Sequence, residues 1–333
     1  MRFALDDQIA AQPGMIAEIL DRDAPGLDPD RPLVFTGIGT SLHPARVAAS
    51  WAWLVSGGLI HACAMDAHEL ALCYRLTTAD QVVVISHRGY KRYPRVVLDK
   101  ARAAGARTIA VVGTEAPEQN ADVVVRTCPN ETAGTFTVSY LSSLAVLAKL
   151  VASLPGPDTE RFTAAVHAVP QTVRSTLAAP PPVEAAAACA RSEPLLVIGF
   201  GLDAITAQEA ALKIKEGARL WAEAMSTEFS LHGTPAAFRP GMNVLSISPA
   251  SDDQGRTAEL RAVLGKLGSP VWTCGETDDH LWFAHADPWM RPFTSIVPLQ
   301  RLTAELARLR GTDPDTLHGG AEPWRSVMTE LEL

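Results

Sequence analysis

The 333 residues carry 29 Lys and Arg against 37 Asp and Glu, a formal net charge of −8, with 47% apolar and 20% charged side chains. That composition can bury a core and is not that of a disordered chain, and its acidic balance argues against nonspecific nucleic-acid binding, which needs a basic footprint. At roughly 150 residues per domain the length predicts two domains. Cys63, Cys73, Cys128, Cys189 and Cys274 form no C-x-x-C pair, which argues against a disulfide framework or a structural zinc and fits reduced thiols. His61 and His68, and His280 and His285, are too widely spaced for the usual metal-ligand patterns, so no metal site is expected. The N-terminus turns acidic at Asp6-Asp7 without the apolar run of a secretory signal, and the most apolar stretch, Val47 to Met65, is interrupted by Ser, Gly and His. These features predict a soluble cytoplasmic protein with neither a membrane nor a nucleic acid as partner.

In chain order, a helix occupies residues 1–26. Short β-branched runs near 33–37, 59–64, 82–86, 108–112 and 122–126 then alternate with helical stretches near 43–57, 91–104 and 136–153. A linking helix and turn, ending in the Pro-rich Ala178-Ala-Pro-Pro-Pro182, fill 161–185. The pattern resumes with strands near 195–199, 244–248, 270–274 and 282–285 and helices near 204–221, 252–267 and 298–310. The expected division is an N-terminal helix over 1–26, a first α/β domain over 27–160, the linker over 161–185, a second α/β domain over 186–312 and a tail over 313–333.

The two α/β stretches repeat one another. Leu33-Val-Phe-Thr-Gly-Ile-Gly39 and Leu195-Leu-Val-Ile-Gly-Phe-Gly201 are both apolar runs ending in G-x-G, 162 positions apart. The same offset carries Ser86 onto Ser248 and Gly113 onto Gly275, each at the end of a predicted strand. Alternating strands and helices indicate parallel sheets with crossover helices, and runs apolar on both faces indicate buried strands. In doubly wound sheets ligands sit at the carboxyl ends of the strands, near the switch point. Chemistry is therefore expected at Gly37–Ser41, Ser86–Lys91, Gly199–Asp203 and Ser248.

Three constellations stand out. Gly37-Ile-Gly39-Thr40-Ser41 joins a strand to a helix, where glycines and free N–H groups suit an anion, although Ser41 could equally cap the helix. Ser86-His87-Arg88-Gly89-Tyr90-Lys91 gathers Arg88 and Lys91 at a strand end, a setting for a phosphate, while Arg92 and Arg95 read as surface charges. Glu209, Lys213 and Glu216 share one helix face by their spacing, which by itself also describes an ordinary solvent-facing ion pair. Beyond them, His232-Gly-Thr-Pro235 is a tight polar turn. Gly199-Phe-Gly201-Leu-Asp-Ala204 matches a dinucleotide fingerprint, but no clear strand ending in an acid is legible after it, so that reading is set aside.

Together these residues resemble the SIS (sugar isomerase) family. The likeness is carried by Gly39-Thr40-Ser41, by Ser86-His-Arg-Gly89 after its strand, and by Glu209-Ala-Ala-Leu-Lys213-Ile-Lys-Glu216. It continues in Ala222-Glu223 through Glu228, His232-Gly233 and Pro235, and in Val297-Pro-Leu-Gln300 with Gly311-Thr-Asp-Pro-Asp315. It covers nearly the whole chain and is closest to tandem-domain isomerases. The resemblance implies an α/β fold of two tandem flavodoxin-like doubly wound SIS domains, each a mostly parallel five-stranded sheet flanked by helices. It also implies a homodimer with shared active sites, a phosphosugar substrate and no cofactor. Glu216 would be the proton-transfer base, His232 would assist ring opening, and Lys213 would stabilise an oxyanion. Gly39, Thr40, Ser41, Ser86, His87, Arg88, Lys91 and Thr137 would bind phosphate or sugar. Arg88 and Lys91 stand where the family's phosphate loop, S-x-S-G-x-T, has its second Ser and its Thr. The tail has no lysine, and His318 and Arg325 are the nearest candidates in its place. No amidotransferase segment is expected, so glutamine-driven synthesis is not. The expected activity is aldose–ketose isomerisation or deamination/deglycation of an amino sugar phosphate, with a noncatalytic phosphosugar-binding regulator as the alternative.

Overall fold

The computed structural model describes residues 1–317 and 321–330. The first half runs α1 (Ala4–Asp21), β1 (Leu33–Gly37), α2 (Leu42–Val55), β2 (Ala62–Asp66), α3 (Ala67–Cys73), β3 (Gln81–Ile85), α4 (Arg92–Ala103), β4 (Arg107–Val112), β5 (Val123–Arg126) and α5 (Val138–Ala152). After α6 (Thr159–Leu177) and α7 (Val183–Cys189) come β6 (Leu195–Gly199), α8 (Leu202–Ala218), β7 (Ala222–Ser226), α9 (Thr227–Leu231), β8 (Val244–Ile247), α10 (Arg256–Lys266), β9 (Val271–Gly275) and β10 (Leu281–Trp282). The chain closes with α11 (Arg291–Thr294), α12 (Ile296–Arg310) and α13 (Trp324–Glu330). Among the described residues no helix is long and apolar enough to cross a membrane.

Two compact units form. One contains Ala11–Glu131 and Val138–Pro170, and the other Met1–Ala10, Thr132–Thr137 and the chain from Gln171 into the tail. The sheet of the first unit has the order β2-β1-β3-β4-β5 and that of the second β10-β9-β8-β6-β7, all parallel. Counted from its own first strand, each sheet has the same flavodoxin-like order, with a switch point between β1 and β3 or between β6 and β8.

The repeat extends to the backbone of the strand-to-helix turns. A Cβ on Gly37 would lie 2.5 Å from Ser41 O, and one on Gly199 2.3 Å from Asp203 O. Gly39 and Gly201 both take positive φ, 56° and 60°, where a side chain is strained. Both turns therefore bring backbone hard against the start of the following helix, and only glycine permits it.

Central strands β1, β3 and β6 are buried throughout, as runs such as Val82-Val-Val-Ile85 require. In the first unit Trp51 of α2 meets Phe162 of α6 edge-on at 5.5 Å, and α3 and α4 pack Leu70, Val97 and Leu98 against Val82 and Val84. In the second, Leu260 and Leu264 of α10 pack with Leu196, Ile198 and Val244.

The β-branched runs mark all five strands of the first sheet and four of the second, leaving out β7. Ala222-Glu-Ala-Met-Ser226 contains no β-branched residue, yet it pairs with β6 from Leu195↔Ala222 to Gly199↔Ser226. Its partner strand supplies what its own composition lacks. The short α3 was missed as well.

Candidate active site

In the first unit the ends of β1 and β3 carry two loops. Gly39-Thr40-Ser41 forms a single 3-10 turn leading into α2, with Ile38 and Gly39 exposed and Thr40 and Ser41 half-buried. Ser41 stands at the N-cap position, but its side chain makes no capping hydrogen bond. The capping alternative thus does not account for this hydroxyl.

The second loop is shaped from beneath. Ser86 N–H donates to Val111 O at 3.0 Å, and Gly113 N–H donates to His87 O at 2.7 Å, which ties the end of β3 to the end of β4. A Cβ on Gly113 would meet the His87 ring at 2.9 Å, so the imidazole packs directly on that glycine. Burial, with Arg88 adding to it, pushes the His87 pKa down to about 4, so the ring is neutral at pH 7. Arg88 and Tyr90 are exposed, and Arg88 Nη1 donates to the Tyr90 hydroxyl at 3.0 Å. Lys91 is half-buried, and its ammonium is held below its ordinary pKa chiefly by burial, with Arg88 contributing. Two cations that disfavour one another at a strand end are an arrangement that a bound anion would relieve. Arg92 and Arg95 are exposed, as expected of surface charges.

The second unit contains the carboxylate–lysine face. Glu209 and Lys213 are buried in α8, with 0% and 1% exposure, and Glu216 remains partly open. Lys213 Nζ lies 3.7 Å from Glu209 Oε1 and forms a close ion pair with Glu216 Oε2. The spacing alone was compatible with a solvent-facing pair, but the burial is not. Removing such charges from water costs several kcal/mol per ion, so the arrangement is poor as a stability device and suits a reacting site. Immediately after Glu216, Thr312 donates to Gly217 O at 2.8 Å. Pro314 O accepts from both Thr135 N–H and Thr135 Oγ1, and Asp315 accepts from the free N–H groups of Ala4 and Leu5. Gly311–Asp315 therefore fastens the end of α8 to the segment around Thr135 and to the first turn of α1.

His232, at the end of α9, is exposed, and its Nε2 lies 2.7 Å from Glu228 Oε1. Thr137 is fully buried. Arg325 lies in α13, exposed, and donates to Glu322 at 2.7 Å. His318 lies outside the described residues.

Two features carry no local sequence signature. Glu131 is buried and accepts from Val138 N–H and Ser139 N–H, so a carboxylate of the chain occupies the N-terminus of α5. At the strand ends of the second sheet, Arg291 is 3% exposed and binds Asp203 Oδ2 at 2.9 Å, Glu276 Oε1 at 2.7 Å and the carbonyl of Ser248. Ser248 Oγ donates to Asp279 at 2.9 Å and accepts from Arg261 at 3.0 Å. Asp203 and Ser248, at strand ends where chemistry is expected, are thus tied to the chain's own ions. No local pattern announces this, because Arg291 is 88 positions from Asp203. Among the described residues no three His, Cys, Asp or Glu side chains gather to hold a metal ion.

Residues 27–153 match the SIS domain. Over 300 residues the chain is 28% identical to a glutamine–fructose-6-phosphate aminotransferase (isomerizing) of Pyrococcus horikoshii, covering 85% of this chain and 50% of that protein. The chain thus spans about half the length of that relative. Among solved structures, the C-terminal domain of glucosamine-fructose-6-phosphate aminotransferase from Francisella tularensis superposes with a TM-score of 0.79 at 19% identity, over 95% of this chain and 98% of the other. Glucosamine-6-phosphate deaminase from Thermotoga maritima gives 0.74 at 22% identity, over 94% and 97%. Tagatose-6-phosphate ketose/aldose isomerase from Escherichia coli gives 0.73 at 15%, over 94% and 95%. At these identities the likeness establishes the fold, two parallel five-stranded sheets flanked by helices.

Proposed function

We propose, on the premise that this chain is a SIS-domain protein, that it acts on a phosphorylated sugar by moving a proton between C1 and C2, as an aldose–ketose isomerase or an amino sugar phosphate deaminase/deglycase. The observation that carries this reading is the buried Glu209–Lys213–Glu216 face, with Glu216 its solvent-reachable carboxylate. A 1,2-proton shift needs one carboxylate that removes the proton α to a carbonyl or imine and returns it to the neighbouring carbon. Glu216 does this, and Lys213 places positive charge where the oxygen becomes negative in the enediolate.

Before the shift, the cyclic sugar opens. The C1–ring oxygen bond breaks, the ring oxygen takes a proton from His232, and the C1 hydroxyl gives up its own to solvent water as it becomes the carbonyl. Arg88 and Lys91 hold the phosphate, with Thr40, Ser41 and Ser86 offering hydroxyls and the backbone at Gly39 offering close approach. Neutral His87 and buried Thr137 complete the binding set. The working form is a cytoplasmic homodimer in which His232 serves the partner's site, and Arg325 and His318 stand in the tail where the family carries its lysine.

Thermal-shift screening of hexose and hexosamine phosphates, followed by NMR of the product in D2O, tests the reading. Deuterium at C1 or C2 of one phosphosugar, with or without ammonia release, is the expected result. Absence of exchange and turnover with every phosphosugar that stabilises the chain would refute it.

A further inference from the structure

Around His232 the side chains form a second, ordered arrangement. Glu228 stands one turn before His232, and its Oε1 is 2.7 Å from His232 Nε2. Arg256, from α10, grips the same carboxylate from the other side, Nε to Oε2 at 2.8 Å and Nη2 to Oε1 at 3.1 Å. Arg256 also pairs with Glu259 of its own helix. Of the remaining charged groups on elements packed against α9, Glu223 lies on β7, Arg261 of α10 is turned toward Ser246 and Ser248, and Lys266 ends α10. Neither β6 nor the turn Thr234–Ala237 carries a titratable side chain.

An ionised carboxylate only accepts hydrogen bonds. Glu228 is ionised at any working pH, its pKa held down to about 2 by the Arg256 guanidinium and by His232. The hydrogen between Glu228 and His232 therefore belongs to Nε2, and Nδ1 is the nitrogen left for exchange.

We propose that Glu228 and Arg256 are positioning residues for His232. Arg256 fixes the Glu228 carboxylate, Glu228 holds the Nε2–H, and Nδ1 becomes the atom that passes a proton to the sugar. The assignment of Nδ1 to that step rests on the ring-opening role given to His232 above. In the imidazolium both nitrogens carry hydrogen. The Nε2 hydrogen stays with Glu228, the Nδ1 hydrogen goes to the ring oxygen, and the product is the neutral Nε2–H imidazole.

The pairing is measurable without substrate. In 15N-histidine-labelled full-length chain, with the His232 resonances assigned by their loss in His232→Gln, neutral His232 should carry its hydrogen on Nε2. The Nε2 hydrogen, held by the Glu228 carboxylate, should exchange with solvent faster in Glu228→Gln and faster still in Glu228→Leu. In turnover, Glu228→Leu should lower kcat about 10-fold with KM changed less than about 2-fold. The surface location of Glu228 keeps both variants folded, which circular dichroism verifies. An Nε2 hydrogen exchange rate unchanged in both variants, or a neutral wild-type ring protonated on Nδ1, overturns the relay even where His232→Gln is inactive. Full activity of His232→Gln overturns the ring-opening role, and with it the task given to Nδ1, even where Glu228 slows the exchange of the Nε2 hydrogen.

Discussion

Lys213 Nζ sits 3.7 Å from Glu209 Oε1 in the interior of α8, with neither side chain more than 1% exposed. The pair is one helical turn long and carries Glu216 on the same face. Removing one member of a buried pair strands the other's charge, whereas removing both does not. Lys213→Met should therefore cost about 3 kcal/mol or more in urea unfolding and abolish turnover. Adding Glu209→Gln to it should recover part of the stability and none of the activity. Recovery of activity in the double variant would show that Lys213 serves packing and not the oxyanion.

His87 makes stability depend on pH. Its folded pKa of about 4 lies below the unfolded 6.5, so between those values the unfolded chain holds more protons than the folded one, and stability falls as pH falls. The loss should reach about 2 kcal/mol at pH 5 relative to pH 7.5, from this residue alone. His87→Gln should flatten that interval. A denaturation series at pH 5.0 and 7.5 checks it, and an equal slope in both proteins would contradict the buried neutral ring.

Arg88 and Lys91 should govern anion affinity. In Arg88→Ala/Lys91→Ala the thermal stabilisation given by a phosphosugar should be lost, while the unliganded melting temperature stays within a few degrees because Arg88 is exposed and Lys91 only half-buried. In the wild type the response should weaken with added salt. An undiminished response in the double variant would remove the phosphate from this loop.

Arg291 should matter for stability alone. Arg291→Met leaves Asp203, 2% exposed, without its cation, at a cost of about 3–5 kcal/mol. Asp203→Leu/Arg291→Met should regain much of that. The ion cluster ties Asp203 and Ser248 to the chain's own charges, so phosphosugar binding measured below the variant's melting temperature should be unaffected. A lost binding response would place ligand there.

The sequence made the duplicated sheet legible because Leu33–Gly39 and Leu195–Gly201 state both the buried strand and the glycine turn in local residues. The strand β7 was illegible because its alanines and methionine take their conformation from β6. The Glu209–Lys213–Glu216 spacing disclosed a shared face but not its burial, which depends on what covers α8. Glu228 was within reach, since its i, i+4 relation to His232 is a readable signal. Arg256 and Arg291 were not, for each arrives from a distant segment by the folding of the sheet.

The central claim is that Glu216 carries the proton. Turnover and ligand binding of Glu216→Gln, measured side by side with the phosphosugar that the wild type converts, address it most directly. The predicted result is loss of turnover and of C1/C2 deuterium exchange with affinity within a few-fold of wild type, because the amide keeps the shape and loses the base. Undiminished turnover in Glu216→Gln would contradict it.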